Sequence, residues 1–128
     1  MTVLSVPAKG RSGDSLPHER VAFAHESERR LAALLDFYGI EWHYEPRTFV
    51  LDEDERGVRA AFTPDFHLPV FDVYVEVTTL RQKLVTKKNR KIRLLRARYP
   101  EVRLIVLYQR DMAALLARGG SSVLASTR

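Results

Sequence analysis

Two acidic side chains stand out for where they sit. Asp65 follows Pro64 and precedes Phe66, while Glu76 interrupts the β-rich run Val73-Tyr74-Val75-Glu76-Val77-Thr78. If the chain reverses around Val70-Phe71, positions 65 and 76 oppose one another on paired strands and point to the same face. Directly opposed Cβ atoms lie about 4.5–5.5 Å apart. Carboxylates that close repel and raise one pKa unless something positive stands between them. A divalent cation does so, and magnesium accepts hard oxygen ligands from one or two carboxylates. Such an ion polarises a phosphate and lowers the pKa of a bound water. Plainer readings exist for each residue alone: Asp after Pro is often a turn or cap residue, and a salt bridge to a basic helix would satisfy Glu76. A charge inside a half-buried strand is costly unless paired. Together the two residues favour an ion site.

Cations are segregated from these acids. Residues 81–98 hold nine basic side chains and no acidic ones, whereas acids cluster at 52–55. With a net charge of +5 and a pI near 9.8, this distribution points to a polyanion-binding face. Leu84, Lys88, Lys91, Ile92, Leu95 and Tyr99 fall near one stripe at helical spacing. Ile92, Leu95 and Tyr99 would seat that stripe on a sheet and carry Lys88 or Lys91 towards Glu76 and Thr78. Lysines in a first helical turn oppose the macrodipole by a few tenths of a kcal/mol each, so several together call for a counter-charge nearby. A solvated basic helix is the alternative. Arg81, Lys83, Lys87 and Arg90 are candidate phosphate contacts, which give affinity and salt dependence without sequence specificity. His18, His25, His43 and His67 lack zinc-ligand spacing, although His67 shares a face with Asp65 in a regular strand. No glycine-rich phosphate loop is present. Trp42 and Tyr44 read as core residues rather than base-stacking platforms.

The elements that must position these groups follow from length and periodicity. A chain of 128 residues is one domain by size and buries roughly two thirds of its unfolded surface. The absence of cysteine excludes disulfides and thiolate metal sites and fits a reducing cytoplasm. No apolar run approaches the ~20 residues that span a bilayer, so no membrane role is expected. The division expected is a loose arm over 1–17, a domain over 18–118 and a tail over 119–128. Leu31, Leu34, Leu35 and Tyr38 predict a helix over 19–38, stopped by Gly39 in the C′ position. Strand-like stretches follow at 42–44, 48–51, 58–62, 66–68 and 73–78, with an exposed turn at 52–57. A basic helix is expected over 86–99, ending before Pro100. An apolar run at 102–108 reads as a strand buried on both faces, and a third helix as 111–117. The class is α/β, a mixed sheet flanked by helices.

Pro64-Asp65-Phe66, followed by Val75-Glu76-Val77-Thr78, resembles the core motif of the PD-(D/E)XK nucleases. Ser27-Glu28 through Gly39-Ile40 and Tyr44-Glu45 is similar to the opening helix of the phage junction-resolving endonucleases of that group. The basic helix closing on Tyr99-Pro100-Glu101-Val102 and the strand after it extend the resemblance to about residues 26–110. The resemblance implies a restriction-endonuclease-like fold, in the order α-β-β-β-α-β-α, and a magnesium- or manganese-dependent endonuclease acting on DNA. It implies a metal held by Asp65, Glu76 and the backbone carbonyl of Val77, with Glu28 joining from the helix. Many relatives work as homodimers. The family carries a lysine two residues past the glutamate, and here that position is Thr78. The superfamily's lysine can migrate to a neighbouring element, so Lys88 or Lys91 is expected to serve. A nuclease fold that lost its chemistry and kept a binding or assembly role is the competing expectation.

Overall fold

A computed structural model describes residues 15–78 and 82–118. Residues 1–14 of the expected arm, the tail 119–128, Thr79 and Arg81 lie outside the described residues. The order is a 3-10 turn at Pro17–Glu19, helix α1 at Glu26–Phe37, strands β1 (His43–Tyr44), β2 (Phe49–Asp54), β3 (Gly57–Phe62), β4 (Phe66–Leu68) and β5 (Val73–Val77). Helix α2 (Gln82–Arg98), strand β6 (Leu104–Leu107) and helix α3 (Gln109–Arg118) complete it.

Helix α1 starts seven residues later than its periodicity suggests. Phe23 is the reason: its ring packs against Tyr44 at 4.8 Å, Trp42 at 5.8 Å and Phe66 at 6.0 Å, and the Ala24 amide donates to the Tyr44 hydroxyl. This aromatic seat holds the approach in a non-helical path up to His25, whose φ of −138° is extended. Upstream, His18 is tied to Asp36 through both its amide and its ring. Glu26 and Glu28 lie in the first turn, where the helix dipole favours negative charge. At the other end Gly39 adopts φ +68°. Its amide donates to Asp36 and that of Ile40 to Leu35, the paired bonds of a Schellman motif.

The main sheet has the order β1-β4-β5-β6. Its first three strands are antiparallel, and β6 runs parallel to β5 with Glu76 beside Val106 and Val77 beside Leu107. Strands β2 and β3 form a separate two-stranded hairpin with register shifts around Asp52, so the strands do not all join the one mixed sheet expected from sequence. On one face Leu31, Ala32 and Leu35 of α1 pack with Phe66, Leu68, Val73, Val75, Val77 and α3. On the other, the hairpin's Phe49, Leu51 and Phe62 close over Ile92 and Leu95 of α2 and Leu104 of β6. Tyr99 links the two pieces by donating to the Val50 carbonyl at 2.8 Å. Helix α2 begins four residues before the expected 86, and β6 is shorter than the apolar run that encodes it. That run is buried only at Leu104 and Leu107; Ile105 and Val106 are partly covered and Arg103 is exposed, since β6 is the edge strand of the sheet. Among the described residues no helix is long and apolar enough to cross a membrane.

Candidate functional site

Phe66 pairs with Val75, so Asp65, one residue earlier, lies opposite Glu76, one residue later. The reversal occupies residues 69–72, with Asp72 at φ +50°. Alternation along β5 sends Val73, Val75 and Val77 towards α1 and turns Tyr74 and Glu76 to the face under α2. The Asp65 amide donates to Glu76 Oε1 at 3.0 Å, and the Val77 amide donates to Asp65 Oδ2 at 2.9 Å. Each carboxylate thus takes a backbone donor from beside the other. The Asp65 carbonyl also accepts from the Glu45 amide at 2.7 Å. Both side chains are buried, with Asp65 7% and Glu76 4% exposed.

Lys88 supplies the counter-charge. Its Nζ lies 2.5 Å from Glu76 Oε2, and Ile92 and Leu95, one and two turns further on and both buried, seat the helix that carries it. From Lys88 to Tyr99 the stripe read from sequence is therefore the packed face of α2, and the Leu84 side chain lies outside the description. Lys88, not Lys91, reaches the pair, while Lys91 is half-buried further along. Asp65 Oδ1 accepts no hydrogen bond among the described residues. Burial first, and the Glu76 charge second, push the Asp65 carboxyl up to about 8, against the Val77 amide; Glu28 adds to the rise and Lys88 opposes it. Burial also raises Glu76, with Lys88 pulling it back.

Glu28 comes from the first turn of α1, the helix packed on the opposite face of the sheet. It is 3% exposed, not a member of a solvated helix face. The Tyr44 hydroxyl donates to its Oε1 at 2.7 Å, and burial together with that bond raises the Tyr44 phenol. Glu28 Oε2 accepts no bond among the described residues. Its charge contributes to the rise of both Asp65 and Glu76. Tyr44 is a core residue, as its aromaticity suggests, but its role as the donor to Glu28 has no signature in sequence.

Thr78 is buried, and its Oγ1 has no hydrogen-bond partner among the described residues. His67 lies opposite Tyr74 and so shares the face of the pair, as strand alternation implies, but its ring bonds Asp72 at 3.2 Å and packs on Tyr74. Lys87 and Arg90 are exposed on α2; the Lys83 side chain lies outside the description.

The donor set can be judged against a metal. Among the described residues no three His, Asp or Glu side chains gather closely enough to hold an ion by themselves. Magnesium asks for less, since it keeps several waters and takes one or two carboxylates. Asp65 and Glu76 are buried together with a single ammonium, that of Lys88 on Glu76, and the raised Asp65 carboxyl marks a place where a divalent ion would be favoured over a proton. Two unbonded carboxylate oxygens and an orphaned hydroxyl, which in a buried setting calls for a water or ion, complete the fit. No family model, curated protein or solved structure matches this chain.

Proposed function

We propose that the protein is a metal-dependent endonuclease of the PD-(D/E)XK type, with a restriction-endonuclease-like fold, that hydrolyses DNA phosphodiester bonds. The observation that carries this reading is the buried Asp65–Glu76 pair, opposed across β4 and β5 with Lys88 closing on Glu76. Asp65, Glu76 and the Val77 carbonyl would hold Mg2+ or Mn2+, with Glu28 assisting directly or through water. Once bound, the ion supplies a polarised phosphate and an acidified water. The chain supplies the rest. Backbone amides fix both carboxylates, so little reorganisation is needed. Lys88 stands in for the lysine absent at Thr78 and stabilises charge developing on the phosphate. Lys87 and Arg90 grip the backbone from the exposed side of α2. One chain carries one such pair, so cutting both strands of a duplex takes two copies or two encounters.

The test is cleavage of supercoiled and branched DNA in magnesium or manganese. Asp65→Ala and Glu76→Ala are expected to abolish cleavage and retain DNA binding.

A second reading has its own observation. The Glu76–Lys88 ion pair and the Asp65 and Val77 amides already compensate much of the site, and Thr78 replaces the motif lysine. A nuclease fold kept as a DNA-binding or assembly module would look the same. No cleavage by the wild-type chain in either metal, with DNA binding intact, selects it.

A further inference from the structure

Beside the carboxylate pair runs a second feature that the proposed chemistry does not use. A cleft of about 400 Å³ opens between α2 and β6, lined by Asn89, Ile92, Arg93, Arg96, Val106 and Tyr108. Val106 is the parallel-register neighbour of Glu76 and shares its face, so the cleft lies one strand over from the pair. Asn89 follows Lys88 directly. The cleft therefore borders the candidate site.

Its chemistry is two-sided. Arg93 and Arg96 bring two guanidinium groups, and no acidic side chain lines the cleft. Arg96 is pre-positioned by donating to the Leu104 carbonyl at 3.0 Å, while Arg93 is exposed and forms no ion pair among the described residues. Ile92 and Val106 give an apolar floor. The half-buried Tyr108 ring is held by its hydroxyl bond to Asn89 Oδ1 at 3.2 Å and by its amide, which donates to Asp111 at 2.9 Å. Cations beside an aromatic ring and an apolar floor suit a ligand that is anionic on one edge and flat and apolar on the other. An intact duplex presents mainly phosphates to a protein surface and keeps its bases stacked inside. Unpaired nucleotides offer both parts, and stacking on aromatic rings with cationic tracking of the backbone is how proteins hold single strands.

We propose that the α2–β6 cleft binds a single-stranded nucleic-acid segment and leads its backbone to the Asp65–Glu76 pair. The proposal rests on the nuclease reading for the destination of that backbone, but not for the binding itself. The substrate class it names is DNA with a stretch of unpaired nucleotides next to the scissile bond, such as a single-stranded flap.

Binding of a short labelled oligodeoxynucleotide, followed by fluorescence anisotropy in EDTA over a salt series, tests it without any cleavage. Arg93→Ala/Arg96→Ala is expected to weaken single-strand binding about tenfold and to flatten the slope of log K against log salt by about 1.4, at ~0.7 per lost phosphate contact. Tyr108→Leu is expected to weaken it about fivefold or more, from the lost stacking, with Tyr108→Phe close to wild type. Arg93→Ala alone serves as the variant that cannot disturb the bond to Leu104. An unchanged affinity and slope in both arginine variants overturns the proposal, as does an equal fall in affinity for blunt duplex. If the wild type cleaves but these variants bind normally, only the cleft is refuted. If it never cleaves but they lose single-strand binding, only the nuclease reading is.

Discussion

The most direct consequence of the buried carboxylate pair is that the metal-free protein gains stability when Asp65 loses its charge. In Asp65→Asn the amide oxygen still accepts from Val77, and folding no longer requires a carboxyl beside Glu76 to take up a proton. Burial and Glu76 push the Asp65 carboxyl from an ordinary 3.8 up to about 8. The native state therefore keeps its proton at a pH where the unfolded chain has released it, and stability falls as pH rises through that window. At ~1.4 kcal/mol per pKa unit, holding the proton at pH 7 costs roughly 4 kcal/mol. Sharing of protons with Glu76 and local relaxation bring the expected gain on substitution nearer to about 2 kcal/mol. Urea unfolding in EDTA across the range from about pH 5 to about pH 8 measures it, and the gap between variant and wild type should widen with pH. Excess magnesium should narrow the gap by stabilising the wild type alone. A variant less stable than wild type at pH 7, or a gap that does not grow with pH, refutes the reasoning about this pair.

Other consequences concern its neighbours. Lys88→Met leaves Glu76 buried without its cation and should cost about 3 kcal/mol in denaturant unfolding. In a cleavage assay the same change should slow turnover by roughly a hundredfold or more. Lys91→Ala, further along the helix, should change stability by less than about 0.5 kcal/mol and cleavage only a few-fold; equal effects of the two lysine changes would refute the assignment of Lys88 alone to the pair. Tyr44→Phe removes the donor to a buried carboxylate and should cost about 1–3 kcal/mol, measured by thermal unfolding. Magnesium must displace the proton held on Asp65, so its affinity should rise with pH up to about 8 and binding should release up to one proton. Calorimetry in buffers of different ionisation enthalpy reads that release directly, and a pH-independent affinity would contradict it.

Much of the site was legible in the chain because strand geometry is periodic. A reversal near 70 with side chains alternating along each strand forces positions 65 and 76 together, whatever surrounds them. The 100° stripe over residues 88–99 likewise determined which face of α2 is packed, and hence that a lysine accompanies Ile92 and Leu95 towards the sheet. Gly39 announced the end of α1, since a left-handed C′ residue is cheap only for glycine. Tertiary structure alone decided three further matters. It chose Lys88 over Lys91, because reach depends on how far α2 slides along β5, which no periodicity encodes. It buried Glu28 under Tyr44, a contact between a helix and an edge strand sixteen residues apart. It also delayed α1, because the Phe23 ring is more stable against Trp42, Tyr44 and Phe66 than in a further turn of helix. Local patterns state which face a residue occupies; only the packed chain determines what stands opposite, because those contacts join segments that share no sequence period.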